Sequence, residues 1–243
     1  MSSPAPAATL SALVAARLLD APLAGLAWLL LERGVPVIVA GREPAVVDGL
    51  LDALVAALPS DRRPGPAVGL AGNQLVRVAG CLEIDTPPGI LRAALAATTG
   101  RSGLALAITA DDLGGVLSVL RSQGMVDDEI SFMGVVLVLG GRDAGPAGGR
   151  RPDDGAPDGG DTARLVAAHY LRPVVLDAGG HPRRLAPAIL ATWDPAAAAW
   201  DHFSWGITPD LAERTRMRAG DLERERERRA AMLAGHAHDR PVG

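Results

Sequence analysis

Residues 35–58 read VPVIVAGREPAVVDGLLDALVAAL, and this stretch decides the fold of the chain. The β-branched apolar run at 35–40 is typical of a buried strand. The apolar spacing of 46–58 is typical of a helix that packs one face against a sheet. Gly41 and a short polar turn join the two. The stretch therefore predicts a strand–turn–helix unit of an α/β domain.

The same unit is spaced like a P-loop, the phosphate-binding motif G-x-x-x-x-G-K-[ST]. With Gly41 as the first glycine, Val46 takes the second glycine position, Val47 the lysine position and Asp48 the Ser/Thr position. A P-loop holds phosphate with backbone N–H groups and a helix N-terminus, while its lysine adds charge and its hydroxyl binds magnesium. This chain contains no lysine, because all 24 of its basic residues are arginine. The spacing of a nucleotide site is therefore present, but the side chains that bind phosphate and magnesium are absent.

The charges near the turn support two interpretations. Arg42 is its only cation, whereas the Asp48 carboxylate would repel phosphate at a helix N-terminus. A β-branched Val46 would crowd the close backbone approach that a glycine allows. The unit is either a plain strand–turn–helix without a ligand or a degenerate phosphate site. The positions of that degenerate site are Gly41, Arg42, Val46, Val47 and Asp48.

Composition restricts the class of protein. At 243 residues with 48% hydrophobic content, the chain can bury one good core. Its net charge of −4 gives no general attraction to nucleic acid or to an anionic membrane. The single cysteine, Cys81, fits a reducing cytosol. No signal peptide is evident, and the apolar run 21–31 is too short to span a bilayer. We therefore expect a cytoplasmic protein without direct membrane insertion.

Apolar β-rich runs alternate with helix-like segments in the first half of the chain. Runs at 104–110 and 134–139 have the length of buried strands, and shorter runs at 75–79 and 82–84 are also strand-like. Segments 9–19, 87–98 and 112–123 are helix-like, and Asp20 with Pro22 has the pattern of a cap that opens a further helix to Leu31. This alternation predicts an α/β fold, a P-loop NTPase-like and mainly parallel sheet with helices on both faces. The predicted divisions are a disordered tail at 1–8, an α/β core at 9–139, a disordered Gly/Pro/Asp insertion at 140–162, a β extension at 163–206, C-terminal helices at 207–235 and a disordered tail at 236–243.

The second half predicts antiparallel strands and a helical tail. The run 165–176 and a second strand from 184 to 193 are joined by Asp177–His181, a hairpin signal. The alternating Glu and Arg residues at 223–228 are typical of a solvated, ion-paired helix face. Three of the four tryptophans lie at 193–205. They are consistent with core packing or with a surface that binds a partner.

Three polar clusters do not predict catalytic or metal sites. His236-Ala237-His238-Asp239 lies at a chain end, where a frayed tail is the simpler interpretation. Asp201, His202 and Ser204 would alternate faces of one strand, so they cannot form a catalytic triad. Asp127-Asp128-Glu129 has the pattern of a helix start. We therefore expect no metal site.

The order of the elements resembles the type II/IV secretion ATPase family, the motors of pilus assembly, type II secretion and conjugation. The resemblance covers most of residues 20–235. A helical lead at 26–36 precedes the P-loop strand, as in that family. The later pieces that look like the family's Walker B strand, Thr-Gly-His-type turn and His-box strand are, in order, Cys81-Leu82-Glu83-Ile84-Asp85, Thr99-Gly100-Arg101-Ser102-Gly103 and Leu106-Ala107-Ile108-Thr109-Ala110-Asp111.

The resemblance implies roles for a few residues. Glu83 stands where the family's catalytic acid polarises the attacking water, Arg101 replaces the histidine of the turn, and Thr109 replaces the His-box histidine. With the lysine also lost, the resemblance implies a degenerate member without a cofactor. Such a protein would be a structural or regulatory partner of secretion or pilus assembly proteins, beside an active paralogous ATPase in a homo- or hetero-oligomer.

Two alternatives to this reading stay open. One is a residual ATP-binding and ATP-hydrolysing motor subunit, which would use Arg42 for phosphate, Glu83 for water, and ATP and Mg as cofactors. The other is a gene product that retains no task.

Overall fold

In the computed structural model, the structure describes residues 9–64, 74–98, 103–140 and 163–238, with side chains to residue 235. The strands are β1 (Val37–Gly41), β2 (Val76–Leu82), β3 (Leu104–Thr109), β4 (Gly134–Gly140), β5 (Arg164–Leu171), β6 (Val175–Leu176), β7 (Pro182–Arg183), β8 (Ala188–Asp194) and β9 (Ala199–His202). The helices are α1 (Leu10–Ala15), α2 (Ala21–Glu32), α3 (Pro44–Ala56), α4 (Ile90–Ala97), α5 (Leu113–Ser122), α6 (Asp127–Ser131), α7 (Thr208–Thr215) and α8 (Ala219–His238), with a 3₁₀ helix at Ser204–Ile207.

The described residues form a seven-stranded sheet in the order β2-β3-β1-β4-β5-β8-β9. The first four strands in this order pair in parallel. The remaining pairs, from β4–β5 to β8–β9, are antiparallel. This confirms the expected α/β class. The central part of the sheet is mostly parallel, antiparallel strands extend the same sheet, and helices follow at the C-terminal end.

Helices cover both faces of the parallel strands, and β1 lies between two cores. Val37 and Val39 face the core that includes buried residues of α2, α3 and α8. Ile38 and Ala40 face the core that includes buried residues of α4, α5 and α6. All five residues of β1 are buried, which explains why this strand reads as an uninterrupted apolar run.

Several predicted boundaries are wrong, each for a local reason. The helix expected to continue to Leu19 ends at Ala15, and Arg17 has a left-handed φ of 58°. The predicted strands 75–79 and 82–84 are one strand, β2, with an irregular register near Gly80, whose φ is 71°. The insertion was predicted to begin at Gly140, one residue too early, because Gly140 closes β4. Residues 141–162 lie outside the described parts of the chain.

The C-terminal segment also differs in detail. The strand expected over 165–176 stops at Leu171, before Pro173. The turn at 177–181 does form a hairpin, but it joins the short strands β6 and β7. Within the described residues, none of the helices combines the length and the apolar character that a bilayer span requires.

The ion pairs predicted for the repeat at 223–228 form within α8, and the residue that follows the repeat, Arg229, makes this helix a structural seam. Arg229 is only 4% exposed and donates to Glu32 and Glu225, each at 2.8 Å. Its guanidinium also lies 4.3 Å from the centre of the Trp28 ring. These contacts join α8 to α2. A buried guanidinium requires such partners because it loses its hydration.

Acid should weaken this seam. Hydrogen bonds from Arg228 and then Arg229 lower the pKa of Glu225 to about 2. Because an unfolded glutamate titrates near ~4.3, the unfolded chain takes up a proton first as the pH falls. We expect stability from Glu225 to be complete above about pH 5 and to be lost toward about pH 2. Urea unfolding across this range should show a shallower acid loss in Glu225→Gln than in the wild type. Parallel pH profiles of the two proteins would contradict the assignment.

Candidate functional site

The candidate site lies at the carboxyl end of the parallel strands, between β1 and β3. The helix after β1, α3, packs on one face of the sheet through Leu50 and Leu54. The helix after β3, α5, packs on the other face through Val116 and Leu120. Adjacent parallel strands whose following helices leave to opposite faces create a crevice where α/β proteins bind ligands.

Three of the predicted site residues meet at this edge. Gly41 at the end of β1 is in register with Thr109 at the end of β3. The Thr109 hydroxyl donates to a Glu83 carboxylate oxygen at 3.3 Å. Glu83 follows β2, is exposed, and its backbone N–H donates to the Thr86 hydroxyl at 2.7 Å. The predicted acid and the predicted His-box position are therefore neighbours.

The P-loop positions, in contrast, belong to a helix that packs against the sheet. Only Arg42 and Glu43 separate the end of β1 from the first residue of α3, Pro44. Val46 packs against the core from the first turn of α3, and Val47 behind it is completely buried. The lysine position thus points into the core, and the turn is too short to wrap a phosphate group.

Gly41 is held against this buried valine. A Cβ atom added to Gly41 would lie 3.0 Å from Val47 Cγ2 and 3.1 Å from Leu139 Cβ. The glycine therefore permits close packing between β1, α3 and β4, a role that needs no ligand.

Substituting Gly41 with alanine tests this packing. We expect Gly41→Ala to lower the free energy of unfolding by about 1–3 kcal/mol, because the added methyl group overpacks the contact with Val47. In a double-mutant cycle followed by urea unfolding, Val47→Ala should relieve part of that loss, since both changes act on one contact. Additive effects of the two substitutions on the free energy of unfolding would show that Gly41 and Val47 do not share one packing contact.

The turn's cation is already paired. Arg42 donates from Nε and Nη2 to the two carboxylate oxygens of Asp111, at 2.5 and 2.7 Å. This hydrogen bonding lowers the pKa of Asp111 and raises the pKa of Arg42. Both side chains are exposed, so the pair is weak, but it occupies the guanidinium face that phosphate would need. This pairing could not be predicted from the sequence, because Arg42 and Asp111 are 69 residues apart in the chain.

Asp48 is paired as well. Its carboxylate accepts from Arg77 at 3.1 Å, and Asp52, one turn further along α3, accepts from the same guanidinium at 2.7 Å. Within the described parts of the chain, no group of three or more His, Cys, Asp or Glu side chains is arranged to hold a metal ion.

Cys81 lies half-buried beside this cluster and is a poor nucleophile. Burial, followed by the nearby charges of Asp48 and Glu83, raises the pKa of its thiol to about 11. The reactive form of cysteine is the thiolate, so its chemistry at neutral pH is suppressed.

The rate of alkylation of Cys81 tests how far the fold suppresses the reactivity of its thiol. At pH 8, we expect Cys81 to react with iodoacetamide roughly 100-fold more slowly than glutathione, because a thiol of this pKa is ionised only about one part in a thousand. The rate should rise about tenfold from pH 8 to pH 9. Protein unfolded in urea provides the control and should react rapidly. A folded-state rate equal to that of glutathione would contradict the placement of Cys81.

The side chains that suggested a triad have other partners. His202 Nε2 lies 2.6 Å from a carboxylate oxygen of Asp20, while Ser204 Oγ accepts a hydrogen bond from Arg226 at 2.7 Å. Arg101 and the histidine side chains of the C-terminal tail lie outside the described residues.

The tryptophans separate into packed and exposed groups. Trp193 and Trp200 form an edge-to-face pair with ring centres 4.5 Å apart, next to the sheet edge at β9. Trp205 in the following 3₁₀ helix is 78% exposed. Ile189 and Phe203 are also exposed, and the Phe203 N–H donates to the Leu190 carbonyl at 2.8 Å, which brings the backbone of these two segments together. We call Ile189, Phe203 and Trp205 the tryptophan surface.

Comparison of the chain with protein-family models and with curated proteins gave no match.

Proposed function

We propose that the chain is a catalytically degenerate relative of the secretion ATPases that acts as a structural or regulatory partner in a type II/IV secretion or pilus assembly system. The family part rests on the order of elements in the sequence, from the helical lead through the P-loop strand to Glu83 and Thr109. The degeneracy rests on one observation, the complete burial of Val47 at the lysine position.

The physical argument concerns charge. Catalysis of phosphoryl transfer consists almost wholly of positioning the phosphates and neutralising their charge. At this turn the lysine position is an apolar core contact, Arg42 is held by Asp111, and Asp48 is held by Arg77. A nucleotide at this turn would meet two carboxylates and would gain little positive charge.

A partner role requires a contact surface, and the tryptophan surface provides one. An exposed tryptophan beside other apolar side chains is typical of an interface anchor. The surface also adjoins β9, which pairs with β8 on one side only in the described sheet. An active secretion ATPase of the same organism is the partner that we propose for it.

Co-purification tests the partner role. The wild-type chain should retain the active secretion ATPase encoded in its own genome, and Trp205→Ala should reduce that retention at least about tenfold because it removes the anchor. Leu176→Ala is the matched control, since Leu176 is similarly exposed on the β6–β7 hairpin. Equal retention by both variants, or no retention by the wild type, would contradict the proposal.

The alternative, a residual ATPase, is favoured by one observation. Gly41, Thr109 and Glu83 lie side by side at the crevice where α/β proteins bind ligands. A turnover assay separates the two functions. Hydrolysis of Mg·ATP that is lost in Glu83→Gln would establish the alternative, whereas equal background rates in both proteins would support the pseudoenzyme.

A further inference from the structure

An arginine-lined cavity of about 340 Å³ opens at the amino end of the parallel strands, opposite the candidate site. Its cationic lining residues come from three distant segments: Arg33 at the end of α2, Arg62 behind α3, and Arg214 and Arg216 at the end of α7. Gly34, Val35 and Thr215 complete the described lining. We call this feature the arginine cavity.

The charge of the arginine cavity is opposite in sign to the net charge of the whole chain. Four of its described lining residues are arginines and none is Asp or Glu, although the chain as a whole carries a net charge of −4. Convergent cations in a concave site raise the local potential and attract anions. The volume lies within the range of small-molecule sites.

Arg214 contacts neutral groups, a backbone carbonyl and an aromatic ring. It is half-buried, and its guanidinium donates to the Phe132 carbonyl at 2.7 Å and lies 5.3 Å from the centre of the Phe132 ring. Burial lowers the pKa of Arg214, and the nearby Tyr170 phenol offsets this effect only in part. Charged groups removed from water are normally paired with an opposite charge. An anion in the cavity would supply that charge.

The backbone holds the cationic groups in place. Gly34 and Val35 donate their N–H groups to Leu31 and Leu30, which fixes the segment that carries Arg33. The Arg62 carbonyl accepts from the Leu75 N–H at 2.9 Å. Arg216 has a left-handed φ of 55°, and its backbone N–H caps α7. These backbone contacts fix the segments that carry the arginines.

We infer that the arginine cavity binds a small phosphorylated anion, a free di- or triphosphate without magnesium. Guanidinium groups bind phosphate oxygens in pairs of parallel hydrogen bonds, and several of them can share one polyphosphate. The described lining offers no carboxylate to hold a magnesium ion, so neutralising the ligand with magnesium should weaken its binding. This inference is independent of the proposed function, because it concerns the opposite end of the sheet.

Calorimetric titration with sodium pyrophosphate in low salt tests the inference. The wild type should bind saturably with one site, and Arg33→Gln/Arg216→Gln should weaken binding at least about tenfold, because two charge-assisted contacts are lost. Arg218→Gln removes one positive charge, where the cavity variant removes two, from an exposed position that does not line the cavity, and it should change the affinity less than about twofold. Excess magnesium should also reduce the affinity.

Each outcome decides the question. Binding of pyrophosphate and ATP with similar affinity would show that the phosphates alone are recognised, and tighter binding of ATP would identify a nucleotide as the source. No saturable binding of pyrophosphate up to millimolar concentration would overturn the inference. Equal weakening by Arg218→Gln and by the cavity variant would also overturn it, because it would indicate diffuse attraction. Unfolding curves of the variants should match the wild type, since Arg33 and Arg216 are exposed.

Discussion

Val47→Lys should destabilise the protein by about 3–5 kcal/mol and should not create a phosphate site, although it restores the motif's missing cation. Val47 has no exposed surface and lies against Gly41 at the junction of β1 and α3. A lysine there must either bury its ammonium group, at a cost of several kcal/mol, or displace α3 to reach water. Urea unfolding gives the change in free energy.

Val47→Ala is the control, because it removes the same packing without adding a charge. Its loss should be about 1–3 kcal/mol, and the difference between the two variants measures the burial of the charge. A Val47→Lys protein with wild-type stability that binds Mg·ATP would contradict our description of the turn. It would mean that the lysine position faces a ligand.

Arg229→Met should lower the free energy of unfolding by about 3–5 kcal/mol, since it leaves Glu32 and Glu225 without their shared cation. Methionine keeps much of the apolar volume against Trp28, so the loss reports mainly on charge. Arg228→Met is the matched control. Arg228 pairs with the same Glu225 but is exposed, so its replacement should lower the free energy of unfolding far less than Arg229→Met. Similar losses in the two variants would show that burial of Arg229 does not govern this seam.

The sequence predicts the parallel part of the fold well because periodicity and burial are local signals. The run at 35–40 identified β1, and Asp20 identified the start of α2, whose Leu23 N–H it caps at 3.0 Å. The antiparallel strands were harder to place, because β5 stops at Leu171 while the apolar pattern continues. Its last residue, Leu171, pairs with Gly134 of β4, so a contact distant in the sequence sets that end.

The candidate site was likewise predicted only in part. Glu83 and Thr109 were predicted from the family resemblance, and the register of the sheet brings them together. The pairing of Arg42 with Asp111 could not be read from the sequence, since it depends on β1 and β3 being neighbours. The arginine cavity was missed for a similar reason. Its arginines are separated along the chain and form no local motif.

The central claim is that residues 41–48 form a packing unit and not a nucleotide site. The most direct measurement is calorimetric titration of Arg33→Gln/Arg216→Gln with Mg·ATP to millimolar concentration, since this variant weakens binding at the arginine cavity. Our account predicts no saturable binding that depends on Arg42. Saturable binding that is lost when Arg42→Gln is added would contradict it, because the nucleotide would then occupy the turn after β1.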